Sequence, residues 1–239
     1  MIHSSLHPLA QPALYILITL VVYALSLRLH NRYSWLHPLL SASIVLIFLL
    51  RTLHISYASY NRGGAVLIYL LGPATVALGV PMFKQGIKLK RALPRLSLVV
   101  LAGSIVGMAT AGCVARLCGA SHQMVMSALP KSVTTPIAVE VSRSLHGDPA
   151  VTAAMVLLTG LLGSVLGPAL LRLARVHHDH AVGAAIGASS HAIGTASLFR
   201  YSEVQGSVSS LAMAMAGIIT SALAMLLTLY WRVRGAGGL

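Results

Sequence analysis

Residues 127–148 read SALPKSVTTPIAVEVSRSLHGD and set Lys131, Glu140, Arg143 and Asp148 between long apolar runs. Ser132, Thr134 and Thr135 add three hydroxyls beside Lys131. Pro130 and Pro136 remove backbone donors and break regular helix around them. Freed N–H groups, hydroxyls and one ammonium suit a small anion such as a carboxylate. The competing reading is that Lys131 snorkels from a helix end to lipid headgroups. Glu140 either takes a proton in coupled transport or pairs with Arg143, three residues on along a helix. Asp148 followed by Pro149 reads as a helix N-cap with proline at the first position.

A second stretch of the same character spans residues 183–205, GAAIGASSHAIGTASLFRYSEVQ. Ser189, Ser190, His191, Gly194 and Thr195 form its polar knot. The glycines allow close backbone approach to a neighbour or a ligand. His191 either donates to an anion, shuttles a proton, or is a hydrogen-bonded interior histidine. Glu203 is a second candidate for proton coupling, although Arg200 three residues away offers it a partner. The substrate-binding candidates are therefore Lys131, Ser132, Thr134, Thr135, Ser190, His191 and Thr195. His177, His178 and His180 flank Asp179, but with no second ligand cluster they read as an interfacial basic loop and not as a metal site. No GxSxG, HExxH, phosphate-binding loop or dinucleotide fingerprint occurs, so neither an enzyme nor a cofactor is expected.

These groups must be held by membrane spans. The chain has 239 residues, of which 56% are hydrophobic and 9% charged. A soluble domain carries about 25% charged residues, so this composition calls for several crossings and leaves no room for a soluble domain. Four acids stand against seventeen Lys and Arg, a net charge of +13. Most of the cations flank apolar runs, which places them at a membrane face and argues against nucleic acid as a partner. The expected architecture is all-α, one transmembrane domain over 1–239 with about 7–8 helices and broken or re-entrant segments.

Spans are expected at 13–29, 36–53, 65–83, 96–117, 150–171 and 206–230, with a polar loop at 54–64. The first is expected to be a retained span and not a cleaved signal. Gly72-Pro73 and Gly79-Pro81 predict a kink in the third. Lys84, Lys88, Lys90, Arg91 and Arg95 mark a cytoplasmic loop. With that loop inside, seven crossings put most basic clusters on one face. In that arrangement 127–148 dips in and returns while 183–205 crosses, so that Arg172, Arg175, Arg232 and Arg234 share the cytoplasmic face. Eight crossings is the rival. Gly103-xxx-Gly107 predicts a close helix contact, and Cys113 and Cys118 are expected to be buried helix cysteines. Residues 73–80 and 130–137 share a short Pro-x-hydroxyl-Val pattern that hints at an internal repeat.

The motifs LPKSVTTPIAVEVS at 129–142, GDPAVTAAMVLLTGLLGSVLGPALLRL at 147–173 and GAAIGASSHAIGTASLFRYSEVQGSVSSLAMAMAGI at 183–218 resemble the LrgB/CidB family of bacterial membrane proteins. LLGPATVALGVPMFKQ at 70–85 matches the same pattern. The resemblance implies residence in the bacterial cytoplasmic (inner) membrane and a small LrgA/CidA-like membrane partner. It also implies an antiholin-like role in murein hydrolase activity and lysis, or uptake of pyruvate-type acids. The chloroplast glycolate/glycerate translocator is similar to the family in its C-terminal part. Two functions stay open: a carrier of small monocarboxylates, and a lysis modulator acting through assembly with a holin-like partner; a homo-oligomer is a separate expectation.

Overall fold

The computed structural model describes residues 10–33, 38–77, 80, 83, 90, 93–233 and 235. The described residues form helices and no strand: α1 (Ala10–Arg32), α2 (Pro38–Thr52), α3 (Tyr57–Ala77), α4 (Leu93–Leu117), α5 (His122–Ala128), α6 (Thr135–Ser144), α7 (Pro149–Leu173), α8 (Asp179–Leu198) and α9 (Glu203–Val233). Helices α1, α4, α7 and α9 are each long and apolar enough to cross a membrane. Two compact units divide the chain, Met1–Gly79 and Val80–Leu239.

In the first unit α2 and α3 both pack on α1. Buried Tyr15 meets Tyr60 edge-on with ring centroids 6.0 Å apart, and the Tyr60 hydroxyl lies 2.9 Å from that of Thr19. A Cβ on Gly63 would stand 2.7 Å from the Pro12 carbonyl, so glycine permits this close approach. These contacts explain why much of the loop expected at 54–64 is helix from Tyr57 onward: Tyr60 and Gly63 have a helix to pack against, which local polarity does not reveal. The second expected span is helical over 15 residues, Pro38–Thr52. Pro73 lies inside α3, whereas Pro130 lies in a turn, so the two Pro-hydroxyl-Val segments adopt different conformations. Gly79, Pro81 and most of the basic loop, residues 84–89 and 91, lie outside the described residues.

The second unit is organised by direction. Helices α4 and α9 run parallel: Val100 packs with Ala212 and Ala216, and Met108 clusters with Ala224. The face where α4 begins is called near and the face where it ends far. His122, just past α4, stacks against Trp231 in the last turn of α9 at 6.1 Å, so both long helices end at the far face. From there α5 turns inward. After a break at residues 129–134, α6 comes back, because Val141 and Leu145 rejoin Val125, Met126 and Leu129 in one apolar cluster. The Ser127 hydroxyl takes the Asp148 N–H at 2.7 Å, tying the end of α5 to the start of α7. Asp148 caps α7, its carboxylate accepting from the Ala150 and Val151 N–H groups as its sequence context predicts. Residues 122–148 are thus a re-entrant hairpin on the far face.

Helix α7 then runs to the near face, and α8 forms a second hairpin there. Its two arms, 179–190 and 192–198, meet at His191, whose φ of 42° and ψ of −140° are not helical. The second arm turns back: Leu198 clusters with Val182, Ile186, Leu171 and Val176. The Gln205 amide donates to Asp179 at 2.7 Å, so the hairpin leaves by the face it entered. This overturns the expected crossing of 183–205. It also places Arg232 on the face opposite Arg172. Charge counting missed the return because the turn needs one residue at an unusual φ, which composition does not mark.

Close packing falls on other glycines than Gly103, which has nothing within 4 Å of a built Cβ. Gly183 sits against the Gln205 carbonyl and Gly187 against the backbone of Ser209, joining α8 to α9; Gly163 and Gly167 admit Ser190 and Ile186. Cys113 and Cys118 are both exposed and free, contrary to the expected burial. A membrane removes the drive to bury apolar side chains inside the protein, so an outward cysteine carries no penalty.

Two measurements check this arrangement. With Cys113 and Cys118 replaced, Ala174→Cys and Tyr201→Cys are expected to react with a membrane-impermeant maleimide from one side, and Ala120→Cys and Ser144→Cys from the other. Labelling of Tyr201→Cys from the side opposite Ala174→Cys would restore the crossing. Gly187→Val, forced against Ser209 backbone, is expected to lower stability by about 1–3 kcal/mol in thermal unfolding. Gly103→Ala is expected to leave stability unchanged or to raise it by up to about 1 kcal/mol.

Candidate functional site

The tips of the two hairpins meet at Val156 of α7. Its side chain packs with Val133 and Ala138 of the far-face hairpin. Its carbonyl accepts a hydrogen bond of 2.8 Å from the His191 imidazole at the tip of the near-face hairpin. Gly160, one turn on, makes room for that ring: a Cβ there would come within 2.5 Å of it. Backbone turned within a membrane must find partners inside the protein. Val156 supplies one, and the structure brings the two polar stretches of the sequence together around it.

The far-face tip holds Lys131, Ser132, Thr134 and Thr135, all half-buried. Ser132 faces Gly107, the fifteenth residue of the 25 in α4, with its hydroxyl 3.9 Å from a built Cβ. At 1.5 Å per residue this lies about 15 Å from the far end of α4, well inside the bilayer. The Lys131 ammonium lies 3.3 Å from the Ser132 hydroxyl, and among the described residues no carboxylate pairs with it. Thr134 is the N-cap of α6 in extended conformation, yet its side chain makes no cap bond. Its hydroxyl oxygen is buried without a partner. Pro136 occupies the first turn and lacks an N–H, but the other early donors of α6 stay uncapped. One cation, two hydroxyls and the positive end of a helix therefore converge where no protein anion answers them.

The near-face tip is different. Ser190, His191 and Thr195 are buried to within 2–3% of full enclosure and satisfied internally. Ser190 pairs with Ser189 at 3.0 Å, and Thr195 donates to the His191 carbonyl at 2.7 Å. The Thr195 hydroxyl also meets Ser209 of α9 at 2.8 Å. These three side chains spend their hydrogen bonds on holding the tip in shape.

Glu140 pairs with Arg143 at 2.7 Å with both side chains more than half exposed, the local pair that their spacing predicts. Glu203 is exposed in the first turn of α9, away from the tips. His178 caps α8, its ring accepting from the His180 N–H at 3.3 Å. Sequence reasoning missed three contributors. Thr152 lies 3.0 Å from the Ser127 carbonyl and 2.7 Å from the Ser142 hydroxyl, locking the far-face hairpin to α7. Ser209 belongs to a run with Ser207 and Ser210 inside an apolar span, all three buried, and that run was the available signal. Val156 acts through its carbonyl, which no side-chain pattern reveals.

Residues 19–229 match the model of the LrgB-like family. YwbG of Bacillus subtilis (strain 168) is 38% identical over 205 residues, covering 85% of this chain and 91% of its own. The holin-like protein CidB of Staphylococcus epidermidis is 33% identical over 221 residues, 92% of this chain and 96% of its own. CidB of Staphylococcus aureus (strain N315), also described as holin-like, is 34% identical over the same shares. No solved structure matches the chain. A family match across most of the chain, with relatives of 33–38% identity over most of their own lengths, makes this multi-pass membrane protein a member of the LrgB-like family.

Proposed function

We propose that the protein carries small monocarboxylates of the pyruvate or glycolate type across the bacterial cytoplasmic membrane, and that it is not an enzyme. The observation that carries this reading is the unpaired Lys131 beside the uncapped start of α6 and the unpartnered Thr134 hydroxyl. Leaving those groups unanswered inside a bilayer is costly, and a carboxylate answers all of them at once. Opposed hairpins support transport further. Helix α4 with the far-face hairpin and α7 with the near-face hairpin repeat one plan in opposite senses, an arrangement in which a central site opens to each side in turn. In this reading Lys131, Ser132, Thr134 and Thr135 touch the solute, while Ser190, His191 and Thr195 support it from the opposite tip.

The near face is assigned to the cytoplasm, because Arg95, Arg172 and Arg175 gather there and Lys84, Lys88, Lys90 and Arg91 immediately precede α4. With both hairpins re-entrant, the second unit crosses three times. The expectation of seven or eight crossings becomes six if α1, α2 and α3 each cross. The holin-like description of the CidB relatives supports a second reading, an antiholin-like modulator of murein hydrolase activity and lysis that assembles with a small LrgA/CidA-like partner or with its own copies. In that reading helix faces matter and Lys131 does not.

Uptake of labelled pyruvate, lactate and glycolate into vesicles separates the two, measured with and without the small partner. Saturable uptake with mutual competition is expected. Lys131→Ala is expected to lower it by about tenfold or more, the worth of a hydrogen bond to a charged group, with membrane insertion unchanged. Full uptake by Lys131→Ala would remove that residue from the site. No uptake by correctly folded protein in either condition would favour the assembly reading.

A further inference from the structure

We propose that the near face holds a binding site for an anionic phospholipid, built from Arg95, His178 and His180 and independent of the solute site. A cavity of about 360 Å³ lies between α4 and the first arm of α8. Arg95, in the first turn of α4, and His178 and His180, at the start of α8, line it and are all exposed. Leu96, Val99 and Ala184 line it as well. Both helices begin at the near face, so the three basic groups sit at headgroup level while the apolar walls run into the bilayer. Arg95 makes no ion pair among the described residues. No acid lines the cavity, and Asp179, the one acid adjacent in sequence, is held by the Gln205 amide.

His178 is set up as a donor. The His178 Nδ1 accepts the His180 N–H, which leaves the proton of the neutral ring on Nε2. The two rings stack edge-on at 5.1 Å, which orders both without consuming that donor. One guanidinium and two imidazoles above an apolar slot demand a ligand with an anionic oxygen cluster at one end and hydrocarbon at the other. A free phosphate has no use for Leu96 and Val99, and a neutral lipid has none for Arg95. Basic pockets between helices on the cytoplasmic side take anionic headgroups in this way. The site also gives a role to the histidine cluster at 177–180, which lies apart from both hairpin tips.

The test counts lipids bound to the full-length protein in detergent by native mass spectrometry, during titration with phosphatidylglycerol or phosphatidylcholine. Phosphatidylglycerol is expected to be preferred, with the preference falling about fivefold in Arg95→Gln, the worth of one surface cation. His178→Gln combined with His180→Gln is expected to reduce it further. Ala181→Trp, which fills the slot from an exposed lining position, is expected to expel the lipid. Arg175→Gln, on the same face but outside the lining, is expected to keep the preference. Equal binding of the two lipids, an unchanged preference in Arg95→Gln, or an equal loss in Arg175→Gln would overturn the site. Displacement of phosphatidylglycerol by inorganic phosphate would overturn it in favour of a small-anion site.

Discussion

A backbone that reverses inside a bilayer strands polar groups where water cannot take them, and the packing of both hairpins in the second unit answers that constraint. The hydrogen bond from His191 to the Val156 carbonyl is its centre. It fixes the near-face turn to the same residue whose side chain supports the far-face turn. Neither arm of either hairpin is long enough to cross about 30 Å of hydrocarbon, so the hairpins depend on α7 and α9 for their position and their hydrogen bonds.

Glycines and hydroxyls divide that labour. Gly160, Gly163 and Gly167 let α8 lie against α7, while Gly183 and Gly187 let it lie against α9. Close approach brings Ser209 to Thr195, and at the other hairpin the same economy brings Thr152 to Ser127 and Ser142. In lipid these contacts work beside the apolar clusters, since apolar side chains gain little by leaving the bilayer for the protein interior. The described outer surface is accordingly rich in Leu, Val and Ile, and buried serines and threonines lie among the apolar side chains of the inside.

The two tips are chemically unequal. His191 sits at a positive φ, which non-glycine residues hold only when surroundings over-determine it, and the bonds of its ring and of its carbonyl do so. The far-face tip has no such closure: Lys131 meets only the Ser132 hydroxyl, the Thr134 hydroxyl has no partner, and α6 begins without a side-chain cap. A rigid tip facing an unsatisfied one is the asymmetry a binding site needs. In the proposed carrier reading, a carboxylate supplies the contacts that the protein withholds.

Much of this was legible in the sequence. Composition established a helical membrane protein, the Asp148-Pro149 pair marked the start of α7, and Glu140 and Arg143 paired as their spacing predicts. Residues 127–148 and 183–205 stood out because charges, hydroxyls, prolines and glycines are expensive in lipid and therefore conspicuous. Tertiary structure alone decided that 183–205 returns to its own face, because that outcome rests on one backbone dihedral at His191 and on contacts of Leu198 and Gln205 with residues 16 and 26 positions away. It also decided which polar residues are spent on holding the fold. Lys131 and His191 look alike as isolated polar residues in apolar sequence, and only the position of the Val156 carbonyl ties one of them into the fold while the other meets just the neighbouring Ser132 hydroxyl.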